Sequence, residues 1–353
     1  MSRLGCTRRG VLASFLGIRW VAGACAFEDP LQMPAPAVRL GSQAPLAAVA
    51  RAGARLVAAG ARGLVIVSDD EGATWRQVSV PLSSDLTALY FVDENRGWCA
   101  GHDGVLLRTG DGGLNWRKQL DGNTVELRLR THFEQLAARA DPRAAALSTQ
   151  LAIDHANGPE QPFLDVAFDT AQRGFASGAF GLLLGSGDGG ASWQSWIERI
   201  DNPKALHLNA LHRAGQAWLI ASEQGTVFRL EDGAQHFVAV ATGCAGSLFA
   251  LAGDVQRVVA CGLLGAVLES VDAGRSWRAL ASGVSAGLTA GTALEDGRVA
   301  LVSQSGQLIV SHRGERSFEA PRTVASLPLA GVVQGGDGLV AVGPGGVQRV
   351  PLA

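Results

Sequence analysis

Short apolar stretches alternate with polar turns along most of the chain, at a pitch of about 40 residues. In one unit, Leu86 to Val92 alternates apolar and small residues, and Gly97 to Ala100 and Val105 to Thr109 follow as further apolar stretches. A period of two predicts half-buried strands, and the turns between them predict antiparallel hairpins. Trp116 to Leu120 completes the unit. The pattern therefore predicts a repeated four-stranded sheet.

Two motifs mark the units. The first is a hairpin of small residues, and its copies are Gly60/Gly63, Gly101/Gly104, Gly178/Gly181, Ser222/Gly225, Gly262/Gly265, Ser303/Gly306 and Gly343/Gly346. The second is the turn Ser/Thr-x-Asp-x-Gly-x-Ser/Thr-Trp, in which Asp accepts backbone hydrogen bonds and Gly supplies positive φ. We predict a structural, not catalytic, role for its residues, which are Asp70, Trp75, Asp111, Trp116, Asp188, Trp193, Asp272 and Trp277. Eroded copies span 232–237 and 311–318.

The number of hairpins predicts the architecture. Seven copies indicate an all-β, seven-bladed β-propeller with one four-stranded blade per unit. The last unit has no Asp turn, and we expect Pro36 to Ser42 to add its fourth strand and so close the ring. The propeller is predicted to occupy residues 36–353 as one domain.

Residues 121–161 interrupt the repeat, because almost two repeat lengths separate Trp116 from Trp193. The interruption has the signals of two helices. They are the capping pair Asn123/Glu126, the apolar stripe Leu129, Phe133, Leu136 and Ala140, the start Asp141-Pro142 and the stop Asn157-Gly158. We predict a helical hairpin between blades 2 and 3, on the face opposite the Asp turns. It serves either as a lid on the propeller or as a partner-docking element.

Composition suits this fold. The chain has 353 residues, of which 47% are apolar and 18% charged, and 46 glycines provide for many tight turns. The net charge of −2 gives no reason to propose nucleic acid as a partner. Beyond the N-terminal segment, the cysteines are Cys99, Cys244 and Cys261, which we expect to be buried in or beside strands and not paired in disulfides.

The N-terminal 26 residues are predicted to be an export signal. Thr7 to Leu12 matches a twin-arginine signal, and the apolar stretch Val11 to Ile18 is too short to span a bilayer. We expect cleavage after Ala24 or Ala26 and a periplasmic location. Lipid anchoring at Cys25 is the less favoured alternative.

The loops between first and second strands carry arginines in six blades. These loops lie on the Asp-turn face around the central channel, where a ring of arginines would bind acidic segments of a partner. Acids in the same loops, such as Asp93 and Asp169, would instead pair with the arginines locally. The arginines are Arg55, Arg96, Arg173, Arg213, Arg257 and Arg298.

Patterns for enzyme chemistry are weak. His207 and His212 are expected on opposite faces of a strand, so we predict no metal site and no cofactor. Sialidases share this kind of repeat, and they use a Tyr nucleophile beside an acid together with an arginine cluster. The single tyrosine, Tyr90, has no acidic sequence neighbours. We therefore predict no enzymatic activity.

Segments such as Asp93 to Gly101 and Asp169 to Gly178 run into a small-residue hairpin and then an Asp turn. In this order the chain resembles the bacterial neuraminidase (Asp-box) repeat proteins, and among them the photosystem II assembly and stability factor family, from Pro36 to Ala353. The resemblance implies an exported, non-enzymatic propeller that binds a membrane protein or complex on the periplasmic side. It implies no cofactor and no small-molecule substrate, and we expect a monomer.

Relatives occur in bacteria without a photosystem, so a photosynthetic role does not follow automatically. The competing class is a glycan-directed protein, either a sialidase-like hydrolase or a lectin-like binder.

Overall fold

The computed structural model describes residues 29–156, 158 and 160–352. Its strands form seven sheets, and within each sheet the strands are antiparallel and follow one another in sequence order. Blade 1 consists of β1 (Leu46–Ala52), β2 (Arg55–Gly60), β3 (Val65–Ser68) and β4 (Arg76–Val78). Blade 2 consists of β5 (Leu86–Phe91), β6 (Gly97–Gly101), β7 (Leu106–Thr109) and β8 (Arg117–Leu120). Blade 3 consists of β9 (Phe163–Phe168), β10 (Gly174–Gly178), β11 (Leu183–Ser186) and β12 (Gln194–Ser195). Blades 4 and 5 consist of β13 (Leu208–Ala214), β14 (Ala217–Ser222), β15 (Thr226–Glu231) and β16 (Val238–Ala241), and of β17 (Leu248–Gly253), β18 (Val258–Gly262), β19 (Val267–Ser270) and β20 (Arg278–Leu280). Blades 6 and 7 consist of β21 (Leu288–Ala293), β22 (Val299–Ser303), β23 (Gln307–Val310) and β24 (Arg322–Thr323), and of β25 (Gly331–Gly335), β26 (Gly338–Gly343) and β27 (Gly346–Pro351).

The sheets are the blades of a ring. Each innermost strand contacts the innermost strand of the next blade, and β25 contacts β1. Buried apolar side chains fill the spaces between adjacent blades; for example, Trp98 stacks on Phe168 with the ring centroids 3.5 Å apart. The seven-bladed propeller predicted from the repeats is confirmed.

Closure of the last blade differs from the prediction. Among the described residues blade 7 has three strands, and Pro36 to Ser42 forms no strand. The backbone groups of this segment are engaged away from β27. Its contacts are instead with blade 1, where the Gln77 side chain donates to the Pro36 carbonyl and accepts from the Val38 N–H.

The segment 29–44, which we call the N-terminal strap, crosses the outside of three blades. Near its start, Leu31 is buried with Val80 and Leu82, and its carbonyl accepts from Lys118 of blade 2. Near its end, the backbone of Ser42 lies against Gly346, leaving no room there for a Cβ. The strap therefore joins blades 2, 1 and 7 without adding a strand.

Blades 1 and 7 are also joined directly. Arg51 pairs with Glu71 of its own blade at 3.0 Å and donates to the carbonyl of Gln334 in blade 7 at 2.8 Å. The same Glu71 carboxylate accepts from the Gly336 N–H at 2.8 Å. Buried apolar residues, including Leu56 and Val340, pack beside this polar contact. The ring is closed here by side chains.

The predicted helical hairpin is present between blades 2 and 3, as α1 (Gly122–Ala138) and α2 (Ala144–Asp154). The predicted capping pair Asn123/Glu126 is wrong, because Asp121 caps α1 by accepting from the Thr124 N–H at 3.0 Å. The predicted start at Asp141-Pro142 is also wrong, because α2 begins at Ala144 after Arg143, and Asp141 accepts from the Arg143 N–H in the turn that precedes the helix. The predicted stop at Asn157 lies outside the described residues, as does the predicted export signal.

The insert packs onto the propeller. Leu129 and Phe133 of α1 are buried in the core between blades 2 and 3, whereas Ala140 lies beyond the helix and is exposed. The N–H of Gly122 donates to Asp103 in the hairpin between β6 and β7, so α1 starts at the hairpin face. This is the packing expected of a lid.

Candidate functional site

The Asp turns use their carboxylates within the turn. Asp70 accepts from the Thr74 N–H at 2.8 Å and the Thr74 hydroxyl at 2.6 Å, and the Ser68 hydroxyl donates to it at 2.7 Å. These bonds lower the pKa of Asp70 to about 2. Asp111, Asp188 and Asp272 make equivalent bonds in their own turns.

The turn tryptophans pack at the beginning of the outer strands. The indole N–H of Trp75 donates to Gly72, and that of Trp116 donates to Gly113. Trp193 is 3% exposed, and Trp277 packs against the core between blades 4 and 5. The turn residues are thus distributed around the ring and do not converge on one cavity.

The six candidate arginines, of which Arg213 lies in β13 and Arg55 begins β2 and only the other four lie in loops, are all paired. Each has a carboxylate within ion-pair distance, either in its own loop or on a nearby strand or turn. The pairs are Arg55 with Asp69, Arg96 with Asp93, Arg173 with Asp169, Arg213 with Asp232, Arg257 with Glu269, and Arg298 with Asp296. Arg96 and Arg173 expose 46% of their side chains, and the other four expose 23% or less.

Arg55 and Arg257 each link neighbouring blades. Arg55 donates to the carbonyls of Asp111 and Gly112 in the blade 2 turn. Arg257 pairs with the buried Glu269 and reaches Ser311 of blade 6. Such contacts hold the blades together and leave less of each guanidinium for a partner.

A charged network joins blades 3 and 4. Arg173 contacts both Asp169 and Asp232, and Arg213 does the same. The two guanidinium groups lower the pKa of Asp232. Tyr90 of blade 2 packs against the core between blades 3 and 4, beside this network, and burial together with the charges of Asp169 and Asp165 raises its pKa. The sequence places no acid beside Tyr90, so only the folding of blade 3 against blade 2 brings these groups together.

The central channel is lined by the innermost strands of all seven blades and encloses about 200 Å³. Most of its lining side chains are apolar or small. In blades 2, 4 and 6 a polar side chain donates to a carbonyl of the next blade, and these bonds are Thr87 to Phe163, Asn209 to Leu248, and Thr289 to Leu329.

Asp165 is the acid of the channel lining. It accepts from its neighbour's N–H at Val166 and from the N–H of Leu211 in blade 4. Burial raises the pKa of Asp165 to about 7, in opposition to these two bonds. At the same register position the other six blades have Ala48, Ala88, Ala210, Ala250, Ala290 and Gly331. Alignment of the repeats with one another would have singled out this residue.

The histidines of blade 4 do not meet. His207 lies at the hairpin rim, where Nδ1 accepts from the Phe180 N–H. His212 is packed in the innermost strand, and burial lowers its pKa to about 4. No cluster of three or more His, Cys, Asp or Glu suited to a metal occurs in the described part of the chain. None of the described helices is long and apolar enough to cross a membrane.

The repeats also match a known family. The family model for photosynthesis system II assembly factor YCF48 matches residues 41–134 and 149–327. This chain belongs to the YCF48 family. That family is one of assembly factors and not of enzymes. No curated protein matches the chain.

Solved structures similar to this YCF48-family chain are also propellers. A structure described as YCF48 bound to D1 peptide has 15% identity and a TM-score of 0.63, covering 92% of this chain and 98% of that one. YCF48 from Cyanidioschyzon merolae has 14% identity and a TM-score of 0.60, with 90% and 98% covered. The WD40 propeller domain of Doa1 has 10% identity and a TM-score of 0.60, with 91% and 95% covered. At these identities the similarity shows the fold alone.

Proposed function

We propose that this YCF48-family protein is an exported, non-enzymatic propeller that binds a membrane protein or complex during its assembly. The family match over 41–134 and 149–327 is the observation that carries the proposal. The D1 peptide bound to a similar propeller supports a protein segment as the ligand. The partner of this chain is therefore proposed to be a protein, with no cofactor or small-molecule substrate.

The side-chain geometry supports binding over catalysis. The Asp-turn carboxylates are engaged by their own turns, and catalysis by paired carboxylates needs them to converge. Near Tyr90, Arg173 and Arg213 are already paired with acids, so they do not form the free arginine cluster that binds a sialic acid carboxylate.

A direct assay separates this function from the glycan-directed alternative. Purified full-length protein is incubated with a fluorogenic sialoside and applied to a glycan panel. We expect no turnover and no binding in the millimolar range or tighter. Turnover that is lost on Tyr90→Phe would contradict the proposal.

Partner binding is tested by affinity capture from detergent-solubilised membranes. We expect wild-type protein to enrich a membrane protein that an unrelated tagged protein does not capture. Deleting residues 121–161 is a poor test, because Leu129 and Phe133 belong to the propeller core. The exposed Arg96 suits a point test of the arginine ring, with Arg96→Glu expected to reduce capture. Absence of any enriched membrane protein would refute the proposed function.

The export step has its own test. A variant with Arg8 and Arg9 both changed to Lys should remain unprocessed in the cytoplasm if a twin-arginine signal directs export. Cell fractionation with immunoblotting measures the location. A processed periplasmic product from the variant would argue for a different export route, and cytoplasmic wild-type protein would contradict export.

A further inference from the structure

A groove of about 850 Å³ runs along the outer rim between blades 2 and 3. One wall is formed by the end of β7, the Asp111 turn and β8, and the other by Gly190 and Ala191 of the blade 3 turn. The lining residues include three cations, Arg108, Arg117 and Lys118, and a single acid, Asp111. Asp111 is engaged by Asn115 and Thr109 of its own turn. The groove therefore carries a net positive charge.

Arg108 and Arg117 lie opposite each other on β7 and β8, and they differ from the six candidate arginines because, in the described ranges, neither side chain forms an ion pair or a hydrogen bond. Lys118, by contrast, pairs with Asp121 at 2.8 Å. Cationic side chains that have no ion-pair partner, in a groove of this volume, are suited to bind an anionic ligand.

The repeat supplies an internal comparison for Arg108. Arg229 occupies the same register position on the third strand of blade 4. Arg229 pairs with Glu231 and donates to the Ala273 carbonyl in the next blade, so its role is to join blades. Arg108 makes neither contact. Its guanidinium lies over the ring of Trp98, 5.9 Å from the centroid, and is held in place by stacking.

Arg117 has two counterparts. Arg76 and Arg278 likewise follow the turn tryptophan, and each pairs with an acid of its own blade, Asp69 and Glu269 respectively. In blade 2 the position of Asp69 is Gly110, and the position of Glu269 is Arg108 itself. Blade 2 thus keeps the arginine and lacks both acids that neutralise it elsewhere in the ring.

We propose that the groove between blades 2 and 3 binds an acidic segment of a protein partner, with Arg108 and Arg117 contacting its carboxylates. The proposal rests on the proposed function, since it assigns the surface that a protein partner uses. An open groove of this volume that is lined by a strand suits an extended peptide. On the blade 3 side, no side chain projects into the groove at Gly190. A larger residue does not fit at this position, because Gly190 has a φ of 84° and a Cβ there would clash with Gln119.

The test uses the full-length protein and a fluorescein-labelled ten-residue peptide of alternating Glu and Ser, measured by fluorescence anisotropy. We expect binding that weakens with added salt, and a loss of at least about tenfold on Arg108→Gln with Arg117→Gln. The matched controls are Arg76→Gln, at the same register but neutralised by Asp69, and Arg349→Gln, an exposed arginine on β27. Both controls should stay within about twofold of wild type.

Further arms separate the alternatives. A peptide with Gln in place of Glu should not bind, and inorganic phosphate should not displace the Glu peptide at equal concentration. Equal binding by wild type and the double variant, or displacement by phosphate, would overturn the proposal. Thermal unfolding of the double variant should match wild type, because neither arginine forms an ion pair in the described structure. A double variant that loses peptide binding but still captures the membrane partner would refute the groove as the partner site. If wild type binds the Glu peptide but captures no membrane protein, the proposed function fails while the groove assignment stands.

Discussion

The carboxylate of Asp165 accepts a hydrogen bond from the backbone N–H of Leu211, 2.7 Å away, across the junction of blades 3 and 4. The two residues lie on neighbouring innermost strands, so the bond links two blades at the wall of the channel. The corresponding position in every other blade is Ala or Gly, so this connection occurs once in the ring.

Asp165 should give the protein an unusual dependence on pH. Folding raises the pKa of this carboxyl from 3.8 to about 7, so the folded state binds a proton more tightly than the unfolded chain. The Asp165 contribution to the free energy of unfolding therefore falls as the pH rises from about 4 to about 7, by at most about 1.4 kcal/mol per pH unit. Asp165→Asn should remove this slope. Denaturant unfolding of both proteins across that range measures the difference, and an exposed-acid variant, Asp337→Asn, serves as control. A pH-independent difference between wild type and Asp165→Asn would contradict the assignment.

The contact between Glu71 and blade 7 should contribute to ring closure. Glu71→Ala removes the acceptor of the Gly336 N–H and the partner of Arg51, and it should lower the free energy of unfolding by about 1 kcal/mol. Amide hydrogen exchange at 334–336 should become faster. Glu295→Ala, at an exposed site, should change neither quantity. Unchanged exchange in Glu71→Ala would show that apolar packing alone holds these blades together.

The insert should contribute to stability through one face only. Phe133 is 2% exposed within the core between blades 2 and 3, so Phe133→Ala should cost about 3 to 5 kcal/mol. Leu127 is on the same helix but 65% exposed, and Leu127→Ala should be nearly neutral. Chemical denaturation monitored by tryptophan fluorescence compares the two. Equal small effects would mean that the helices do not depend on the propeller for their packing.

The Asp turns should affect stability and not partner binding. Asp188→Ala leaves the Ser192 N–H and hydroxyl without their acceptor and should lower the free energy of unfolding by about 1 to 2 kcal/mol. Asp188→Asn retains one acceptor oxygen and should lose less. Peptide binding and membrane capture should be unchanged in both. A loss of binding in Asp188→Asn at full stability would indicate a direct role for the carboxylate.

Local patterns were enough to predict the repeating part of the molecule. The spacing of the small-residue hairpins predicted the number of blades, because each repeat carries its own hairpin. The interval between Trp116 and Trp193 predicted the position of the helices, because it is longer than one repeat. The capping prediction at Asn123 was wrong, because Asp121, two residues earlier, was available as a better-placed acceptor.

Features that depend on neighbouring blades were not predictable in this way. The single-sequence pattern could not show that Glu269 would receive three arginines from two blades, or that Asp165 would meet Leu211. The six candidate arginines illustrate the difference. Their recurrence near the ends of the first two strands follows from the repeat, but the burial of Arg257 and Arg298 depends on how the blades pack.

The strap sets how many N-terminal residues could be removed before buried side chains of blade 1 are exposed. Leu31 covers Val80 and Leu82, which are almost completely buried beneath it. A leader removed after Ala24 or Ala26 would leave that cover intact, with only a few residues to spare before Asp29 turns back to accept from the Leu31 N–H. Removal of residues up to and including Leu31 would expose the apolar side chains of Val80 and Leu82 on blade 1 and would remove the first contact of the strap with blade 2. The fold is therefore expected to depend on the chain from about Asp29 onward.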